Sequence, residues 1–230
     1  MTLQWYTMRL FVIAVVMGLA PGLDAQTQAP TSQPRRKPVP HSDALRQPKA
    51  PLRVAVFAGG CFWCMESGFE KMPGVRSVIS GYTGGDEKKP AYYEVARGKT
   101  GHQEAVWVVY DPTAISYARL LEIFWRQIDP TQGNGQFADI GHQYKTVIFT
   151  NDAQERKMAE ASKKKLQDSK KFGERNIVTR IEALRSFWPA EMHHQDYYRL
   201  HPVVYQRYFE ASGRGPFLRK HWGVQDKVEK

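Results

Sequence analysis

A strand, a turn and a helix are predicted in immediate succession around the only two cysteines of the chain. Cys61 and Cys64 stand in the segment Gly-Cys-Phe-Trp-Cys at positions 60–64. The apolar-rich run 53–58 predicts a β-strand, and residues 65–71 favour a helix. Both thiols are therefore expected at the turn between the first strand and the first helix of the fold.

A position at such a turn has a chemical consequence for Cys61. The N-terminus of a helix carries a partial positive charge and unpaired backbone N–H groups, which favour a thiolate over a thiol. We therefore expect a lowered pKa and a nucleophilic sulfur at Cys61. Cys64 follows one helical turn later, within reach of a disulfide bond. The pair suits a thiol that is oxidised and then resolved by its neighbour.

A structural disulfide is the alternative for an exported protein with two cysteines. A bridge between Cys61 and Cys64 would close a very small loop, which restrains the unfolded chain little. The chain after residue 50 is also long enough for a domain that needs no covalent bridge. Both arguments favour a redox-active cysteine pair over a structural disulfide.

The N-terminal part of the chain differs in composition from the remainder. A basic residue, an apolar run and a Pro-Gly turn predict a secretory signal over 1–25, cleaved after Ala25. The protein is then expected in the periplasm or outside the cell. An uncleaved membrane anchor is the alternative, although the apolar run is short for a membrane span. Residues 26–50 are rich in Gln, Pro and basic residues and predict a disordered linker, followed by one domain over 51–230.

Strands and helices alternate along the domain and predict an α+β fold. We expect a two-layer sandwich, in which helices pack on a mixed, mostly antiparallel sheet of the ferredoxin-like kind. The C-terminal segment from residue 186 onward is aromatic-rich and is expected to be irregular. Further strands are predicted at 75–80, 105–110, 146–149 and 176–184, and helices at 116–127, 151–172 and around 191–200.

Helix starts and loops are indicated by their residue types. Ser116 is the expected N-cap of one helix, and Asn151 with Gln154 forms the expected capping box of another. Glycines in 81–85 predict a tightly shaped loop. Residues 128–143 form a long segment without periodicity, and such loops inside compact domains are usually functional.

The formal net charge of +10 does not by itself indicate a partner. The lysines at 163–165 and 170–171 alternate with acidic residues, which indicates a solvated helix face. No stripe of basic and aromatic residues accompanies them in the sequence. The composition therefore gives no support to nucleic-acid binding.

Reduction of a polar oxide needs an acid that protonates the leaving oxygen and donors where negative charge develops. Glu104 precedes a buried strand, where desolvation would raise its pKa; an exposed strand end is the alternative. Tyr92 and Tyr144 could donate hydrogen bonds through their hydroxyls or simply pack half-buried. Asp139 could hold a water or, as is more frequent for a loop aspartate, cap a turn.

Two other sites compete for the cysteines. The Cys-x-x-Cys turn alone resembles the motif of thioredoxin-type exchange proteins. Cys61 and Cys64 could also join His193 and His194 as zinc ligands. Adjacent histidines point in different directions on a helix, which makes the zinc geometry poor. We expect surface or hydrogen-bonding roles for both histidines, no metal and no cofactor.

An ordered series of motifs over 51–230 marks a family resemblance. Gly-Cys-Phe-Trp-Cys at 60–64 closely resembles the signature of A-type peptide methionine sulfoxide reductases. The series continues with Pro-Gly-Val at 73–75, Gly-Tyr-Thr-Gly-Gly at 81–85, Pro-Ala-Tyr-Tyr-Glu-Val at 90–95, Thr-Gly-His-Gln-Glu-Ala-Val at 100–106, Tyr-Asp-Pro at 110–112, Asp-Pro at 129–130, Gly-Gln-Phe-Ala-Asp at 135–139, Gln-Tyr at 143–144, Ala-Glu at 190–191 and His-Gln at 194–195.

The resemblance implies the reduction of methionine S-sulfoxide, free or in proteins, to methionine. Cys61 would attack the sulfoxide sulfur while Glu104 supplies a proton, and Tyr92 and Tyr144 would orient the oxygen. Methionine would leave and Cys61 would become a sulfenic acid. Asp139 falls within the same series and is counted with the catalytic residues.

Phe62 and Trp63 would form the apolar pocket for the methyl group of the substrate; plain core packing is the alternative. Many members of the family carry resolving cysteines in a C-terminal tail, and residues 221–230 of this chain contain none. Cys64 would therefore resolve the sulfenic acid through an intrachain disulfide, unless it packs as an inert thiol. A thioredoxin-like donor would then reduce the disulfide of a monomeric enzyme. A thiol–disulfide exchange protein is the alternative function.

Overall fold

The computed structural model describes residues 45–223. The predicted signal over 1–25 and most of the predicted linker over 26–50 lie outside the described residues. The strands are β1 Arg53–Ala58, β2 Val75–Thr83, β3 Gln103–Tyr110, β4 Gly135–Gln136, β5 Asp139–Ile140, β6 Val147–Thr150, β7 Arg180–Ala183 and β8 Phe187–Pro189. The helices are α1 Phe62–Glu70, α2 Tyr92–Ala96, α3 Tyr117–Trp125, α4 Ala153–Asp168, α5 Tyr197–Leu200, α6 Pro202–Ala211 and α7 Arg214–Trp222, with 3₁₀ turns at His142–Tyr144 and Met192–His194.

The main sheet has six strands in the order β7-β6-β1-β3-β2-β8. Only β6 and β7 pair in parallel; the other neighbours in this sheet are antiparallel. β4 and β5 form a separate two-stranded sheet. The predicted α+β class with a mixed sheet is therefore confirmed.

Alternation along β1 places side chains on both faces of the sheet, as the strand period of two requires. Phe57 lies on the helical face, where its ring stacks at 5.0 Å on Phe69 of α1 and at 5.1 Å on Phe124 of α3. All three rings are fully buried. This aromatic stack holds α1, and with it the cysteine turn, against the central strand.

The opposite face of β1 packs differently. Val54, Val56 and Ala58 belong to a second buried cluster with side chains from β3, β6 and β8. Leu45 packs on this cluster, and its backbone N–H donates to the carbonyl of Phe187 at 2.8 Å. The last residues of the predicted linker therefore contact the domain.

Two boundaries near the cysteines differ from the sequence predictions. α1 begins at Phe62 rather than at residue 65, so its first turn contains the motif itself. β2 continues to Thr83 through the expected glycine loop, and Gly81 pairs with both Ala105 and Pro189. A Cβ at Gly81 would lie 2.3 Å from the carbonyl oxygen of Trp188. Glycine therefore permits close strand pairing here instead of forming a loop.

The expectation of an irregular C-terminal segment was wrong for the described residues, because α6 and α7 occupy half of it. Tyr205, Tyr208 and Phe209 follow the i, i+3, i+4 spacing of a helix face, which the aromatic composition obscured. The helix expected around 191–200 is instead a 3₁₀ turn followed by the short α5.

Helix caps were predicted with mixed success. Ser116 accepts a hydrogen bond from the Arg119 N–H, so the predicted N-cap of α3 is confirmed. The capping box assigned to Asn151 and Gln154 was wrong by one residue. Asp152 accepts from the Glu155 N–H at 2.8 Å, and Glu155 accepts from the Asn151 N–H at 2.9 Å. The Asp152 side chain satisfies the N3 donor as in a capping box, whereas the Glu155 carboxylate accepts from the residue before the N-cap.

Removal of one ring from the aromatic stack tests its contribution to stability. Phe124→Ala leaves a cavity beside Phe57, and we expect the free energy of unfolding to fall by about 3–5 kcal/mol. Denaturant unfolding measures this change. The matched control is Val203→Ala on α6, where the side chain is 61% exposed, with an expected change within about 0.5 kcal/mol. Equal small effects of both substitutions would contradict the structural role of the stack.

Candidate functional site

The turn between β1 and α1 lies inside the protein. Gly60 has φ = +85°, which a residue with a side chain adopts only with strain. A Cβ there would also lie 2.6 Å from Gln136 and 2.7 Å from the guanidinium of Arg214. Cys61 is the N-cap of α1 and Cys64 lies in its first turn. The tight turn thus leaves both thiols buried, at 6% and 3% exposure.

Glu104 lies beneath the start of this helix. Its carboxylate accepts a buried hydrogen bond of 3.1 Å from the Phe62 N–H, and only 2% of the residue is exposed. Burial raises the pKa of Glu104 to about 8, against the lowering effect of hydrogen bonds from Phe62 and Tyr144. The negative charges of Asp139 and Cys64 raise it further. Glu104 is therefore mainly a neutral acid at pH 7, and it is not the exposed strand end of the alternative.

Tyr92 and Tyr144 bring hydroxyl groups to the same place from α2 and from the 3₁₀ turn. Burial, then the charge of Glu104, raises the pKa of Tyr92 to about 12. The same two causes raise the pKa of Tyr144. The Tyr92 backbone is held by Glu191, which accepts its N–H at 3.0 Å and the Tyr82 hydroxyl at 2.8 Å. Both hydroxyls keep their protons and can donate hydrogen bonds to an oxygen near Cys61.

Aromatic rings form one wall of the site. The Phe62 ring lies 6.5 Å from Tyr92 and 5.3 Å from His194, between ring centroids. The half-buried Trp63 stacks on Tyr197 at 3.8 Å and lies 5.8 Å from His194. Phe62 also belongs to the main core cluster, which Trp63 only borders. The wall is therefore apolar and continuous with the core.

Asp139 lies in β5 rather than in a turn, so the turn-capping interpretation was wrong. Its carboxylate accepts a short hydrogen bond from the Tyr208 hydroxyl of α6. Burial raises the pKa of Asp139, and the hydrogen bond with Tyr208 and the charge of Arg214 oppose this change. Asp139 acts on Cys61 and Glu104 through its charge.

The pKa values of the two cysteines shift in opposite directions. Burial raises the pKa of Cys61, and the neighbouring Cys64, Glu104 and Asp139 add to the increase. The expectation that the helix N-terminus lowers the pKa of Cys61 was therefore wrong for the free enzyme. Burial also disfavours ionisation of Cys64, yet hydrogen bonding by Cys61 and the charge of Arg214 lower its pKa overall.

Arg214 is a site residue that the sequence analysis missed. It begins α7 and is only 1% exposed. Its guanidinium donates to the carbonyl oxygen of Gln127 at 2.5 Å and to that of Gly59 at 2.8 Å, and it lies 4.6 Å from the Phe137 ring centroid. Nothing in the sequence distinguishes this arginine from the many exposed ones. Its position depends on contacts that are distant along the chain.

His194 was expected to have a surface or hydrogen-bonding role, and the structure shows neither. It is 3% exposed, and its ring nitrogens have no hydrogen-bond partner among residues 45–223. Burial lowers its pKa to about 4, so the ring is neutral. The proposed zinc ligands do not converge. Among the described residues, the carboxylates of Glu66, Glu70 and Asp196 are the only group of three potential ligands with metal-like spacing, and it contains neither cysteine.

Comparisons with known proteins identify the family of this chain. The family model described as "Peptide methionine sulfoxide reductase" matches residues 53–226. The peptide methionine sulfoxide reductase MsrA of Bacillus licheniformis is 50% identical over 170 residues, which is 74% of this chain and 93% of that protein.

Solved structures extend the similarity to three dimensions. Mxr1 from Saccharomyces cerevisiae in reduced form has a TM-score of 0.63 at 29% identity, covering 69% of this chain and 90% of that one. Methionine sulfoxide reductase A of Corynebacterium diphtheriae has a TM-score of 0.60 at 32% identity, covering 67% and 77%. This chain belongs to the peptide methionine sulfoxide reductase family and is an oxidoreductase that reduces methionine sulfoxide.

Proposed function

We propose that the protein reduces methionine S-sulfoxide, free or in proteins, with Cys61 as nucleophile and Glu104 as proton donor. The observation that carries the proposal is the buried Glu104, held by the Phe62 N–H beside Cys61 and neutral near pH 7. A general acid needs a pKa near the working pH, and this carboxyl has one. The preference for the S epimer rests on family resemblance.

In the first step Cys61 attacks the sulfoxide sulfur as Glu104 gives its proton to the oxygen. Tyr92 and Tyr144 donate hydrogen bonds to the oxygen as negative charge develops on it. Phe62 and Trp63 surround the methyl group. The attack forms a bond between the sulfurs of Cys61 and the substrate. The hydroxyl then transfers to Cys61: an S–O bond forms on Cys61 while the substrate S–O bond and the new S–S bond break, so methionine leaves and Cys61 becomes a sulfenic acid. The proton that Cys61 releases returns Glu104 to its neutral form.

In the second step Cys64 attacks the sulfenic sulfur of Cys61 and water leaves. A thioredoxin-like dithiol then reduces the disulfide by thiol–disulfide exchange. A pure exchange protein, the alternative, has no need of a buried acid and two hydroxyl donors around its first cysteine. The surroundings of Glu104 therefore favour the reductase.

We also propose a more specific fold group for the domain. We assign the domain over 51–230 to the ferredoxin-like group, because β1-α1-β2-β3-α3-β6 follows the β-α-β-β-α-β pattern. The order β6-β1-β3-β2 at the centre of the sheet supports this assignment. We propose a monomer that needs no cofactor, since every group of the mechanism comes from one chain.

We propose export through the signal over 1–25, on the strength of its apolar run and Pro-Gly turn alone. Within residues 45–223 no helix is long and apolar enough to cross a membrane. Substrates would then be proteins of the cell envelope or the exterior, and the dithiol donor would have to be exported as well.

Substitution of each cysteine tests the order of the two steps. Reduced Cys61→Ser should release no methionine from N-acetyl-methionine sulfoxide, because the nucleophile is lost. Cys64→Ser should release about one equivalent and then stall with a thioredoxin donor, whereas small thiols should restore turnover. Chromatography of the single-turnover product gives the measurement. Release by Cys61→Ser, or normal thioredoxin-dependent turnover by Cys64→Ser, would overturn the assignments.

The pH dependence of methionine release tests Glu104. A carboxyl can donate only while protonated, so the single-turnover rate should fall as the pH rises through about 8. Glu104→Gln should be slower by about 10²–10⁴-fold and should lose this decline. The control is Glu94→Gln at an exposed position of α2, which should behave as wild type. A loss of less than about tenfold would leave Glu104 a structural role only.

The N-terminus of the native protein tests export. Cleavage after Ala25 predicts a mature chain that begins near Gln26, because the small residue follows the apolar run. Mass spectrometry of protein from the periplasm or medium should find this end. A cytosolic protein that retains Met1 would disprove export and leave the chemistry unaffected.

A further inference from the structure

Within residues 45–223, the guanidinium of the buried Arg214 forms no direct ion pair with a carboxylate. Its hydrogen bonds within residues 45–223 go to two neutral backbone carbonyls, those of Gly59 and Gln127. Asp139 is near enough to act on it through charge, but its short hydrogen bond is with Tyr208. A charge this deeply buried is costly unless an opposite charge lies near it.

A cavity connects Arg214 with Cys64. Its volume is about 160 Å³, and both side chains line it together with Tyr205 of α6. It lies on the side of α1 that faces α6 and α7, whereas Glu104 and Tyr92 lie around Cys61. Glu210 also lines this cavity but pairs with Arg219, so Cys64 is the lining group that can become an anion facing Arg214.

Tyr205 supports the same assignment. Its hydroxyl shares a 2.5 Å hydrogen bond with the Ser67 hydroxyl, which itself donates to the Cys64 carbonyl at 2.9 Å. The Tyr205 side chain packs in one buried cluster with both cysteines and contributes to the lowering of the Cys64 pKa. Hydroxyl donors and a guanidinium are the groups that stabilise a thiolate.

We propose that Arg214 is the counter-ion of a Cys64 thiolate. It is a positioning residue that, with Tyr205, keeps Cys64 ionised in the reduced protein and ready to attack oxidised Cys61. The thiolate itself is independent of the substrate; only its attack rests on the proposed function.

The resolving step balances with these groups. The Cys64 thiolate contributes the electron pair of the new S–S bond, and the S–O bond of the Cys61 sulfenic acid breaks. Hydroxide leaves and takes the proton of Glu104 to become water, so the negative charge moves from Cys64 to Glu104. When a dithiol donor reduces the disulfide, its electrons restore both sulfurs and its two protons go to Cys61 and Glu104.

Other charges around Cys64 must be considered in any titration. Those that act on its ionisation from the packed elements are Cys61 at the start of α1, Glu104 on β3, Asp139 on β5, Tyr205 and Tyr208 on α6 and Arg214 on α7. Lys71, Glu210 and Arg219 also line the cavity, and the last two form an ion pair of 2.5 Å. Arg214 is the only cation among those lining residues that is buried.

The first experiment titrates Cys64 without any substrate. In a Cys61→Ser background, Cys64 is the only thiol, and its ionisation is followed by the ultraviolet absorbance of the thiolate. We expect a midpoint below the ordinary value of about 8.5. Arg214→Gln should raise this midpoint by about one pH unit or more, the usual size of one nearby opposite charge. Arg214→Lys keeps the charge and should stay close to the background protein.

Controls separate charge from structure. Arg207→Gln removes a charge from an exposed position of α6 and should not move the midpoint. A structural role would affect Arg214→Lys and Arg214→Gln alike, because lysine loses the paired guanidinium hydrogen bonds as well. If both Arg214 variants fail to fold, the titration of the Cys61→Ser protein remains as the test. A Cys64 midpoint at or above about 8.5 in that protein overturns the proposal.

The second experiment follows resolution in the protein with both cysteines. After one turnover, Arg214→Gln should retain a sulfenic acid, trapped by dimedone, at least about tenfold longer than the wild type, timed from the release of methionine in each protein. A tenfold change corresponds to about 1.4 kcal/mol in the barrier. Equal sulfenic acid lifetimes would overturn the role in resolution. Absence of methionine release from wild type would instead refute the proposed function and leave the titration result standing.

Discussion

The hydrogen bond from the Phe62 amide to the Glu104 carboxyl joins the start of α1 to the central strand β3. It requires the turn at Gly60 to place the helix start in the interior, where the amide has no access to water. It also requires the register in which Glu104 pairs with Tyr82 of β2. Because the helix start and the acid beneath it are both buried, the pKa of each ionisable group in the site depends on the charges of its neighbours.

Burial outweighs the helix dipole at Cys61 for a reason of magnitude. A helix N-terminus contributes about 0.3–1 kcal/mol to a charge, and up to about 2 in favourable geometry. One pKa unit corresponds to about 1.36 kcal/mol, so the dipole changes a pKa by about one unit. Full burial changes a pKa by up to about 3–5 units. The dipole argument holds for an exposed turn, and this turn is not exposed.

The sequence predicts the parts of the molecule that local pattern determines. β1, β3 and α3 follow from apolar runs and from Ser116, and the motif series brings Cys61, Glu104, Tyr92 and Tyr144 to attention. Two groups could not be found in this way. Arg214 is recognisable only through hydrogen bonds to carbonyls 155 and 87 positions away, and the burial of Cys61 depends on helices packed around the turn. Tyr205 and Tyr208 did carry a signal, a helical spacing that the aromatic composition concealed.

The opposite pKa shifts of the two cysteines follow from how few charges a buried site can hold. If the Cys61 thiolate formed beside an ionised Glu104, two negative charges would lie together away from Arg214, and each would raise the pKa of the other. A single negative charge on Cys64, against Arg214, avoids that repulsion and leaves Glu104 free to keep its proton. In the proposed cycle the disulfide removes this thiolate. The negative charge then moves to Glu104 of β3, which accepts the hydrogen bond from the Phe62 N–H. The oxidised form then leaves Arg214 without the Cys64 anion, so in the proposed cycle the reduced form is the better stabilised of the two. A disulfide whose reduced form is stabilised in this way is readily reduced by a dithiol donor, which is what an enzyme that must return to the thiol state requires.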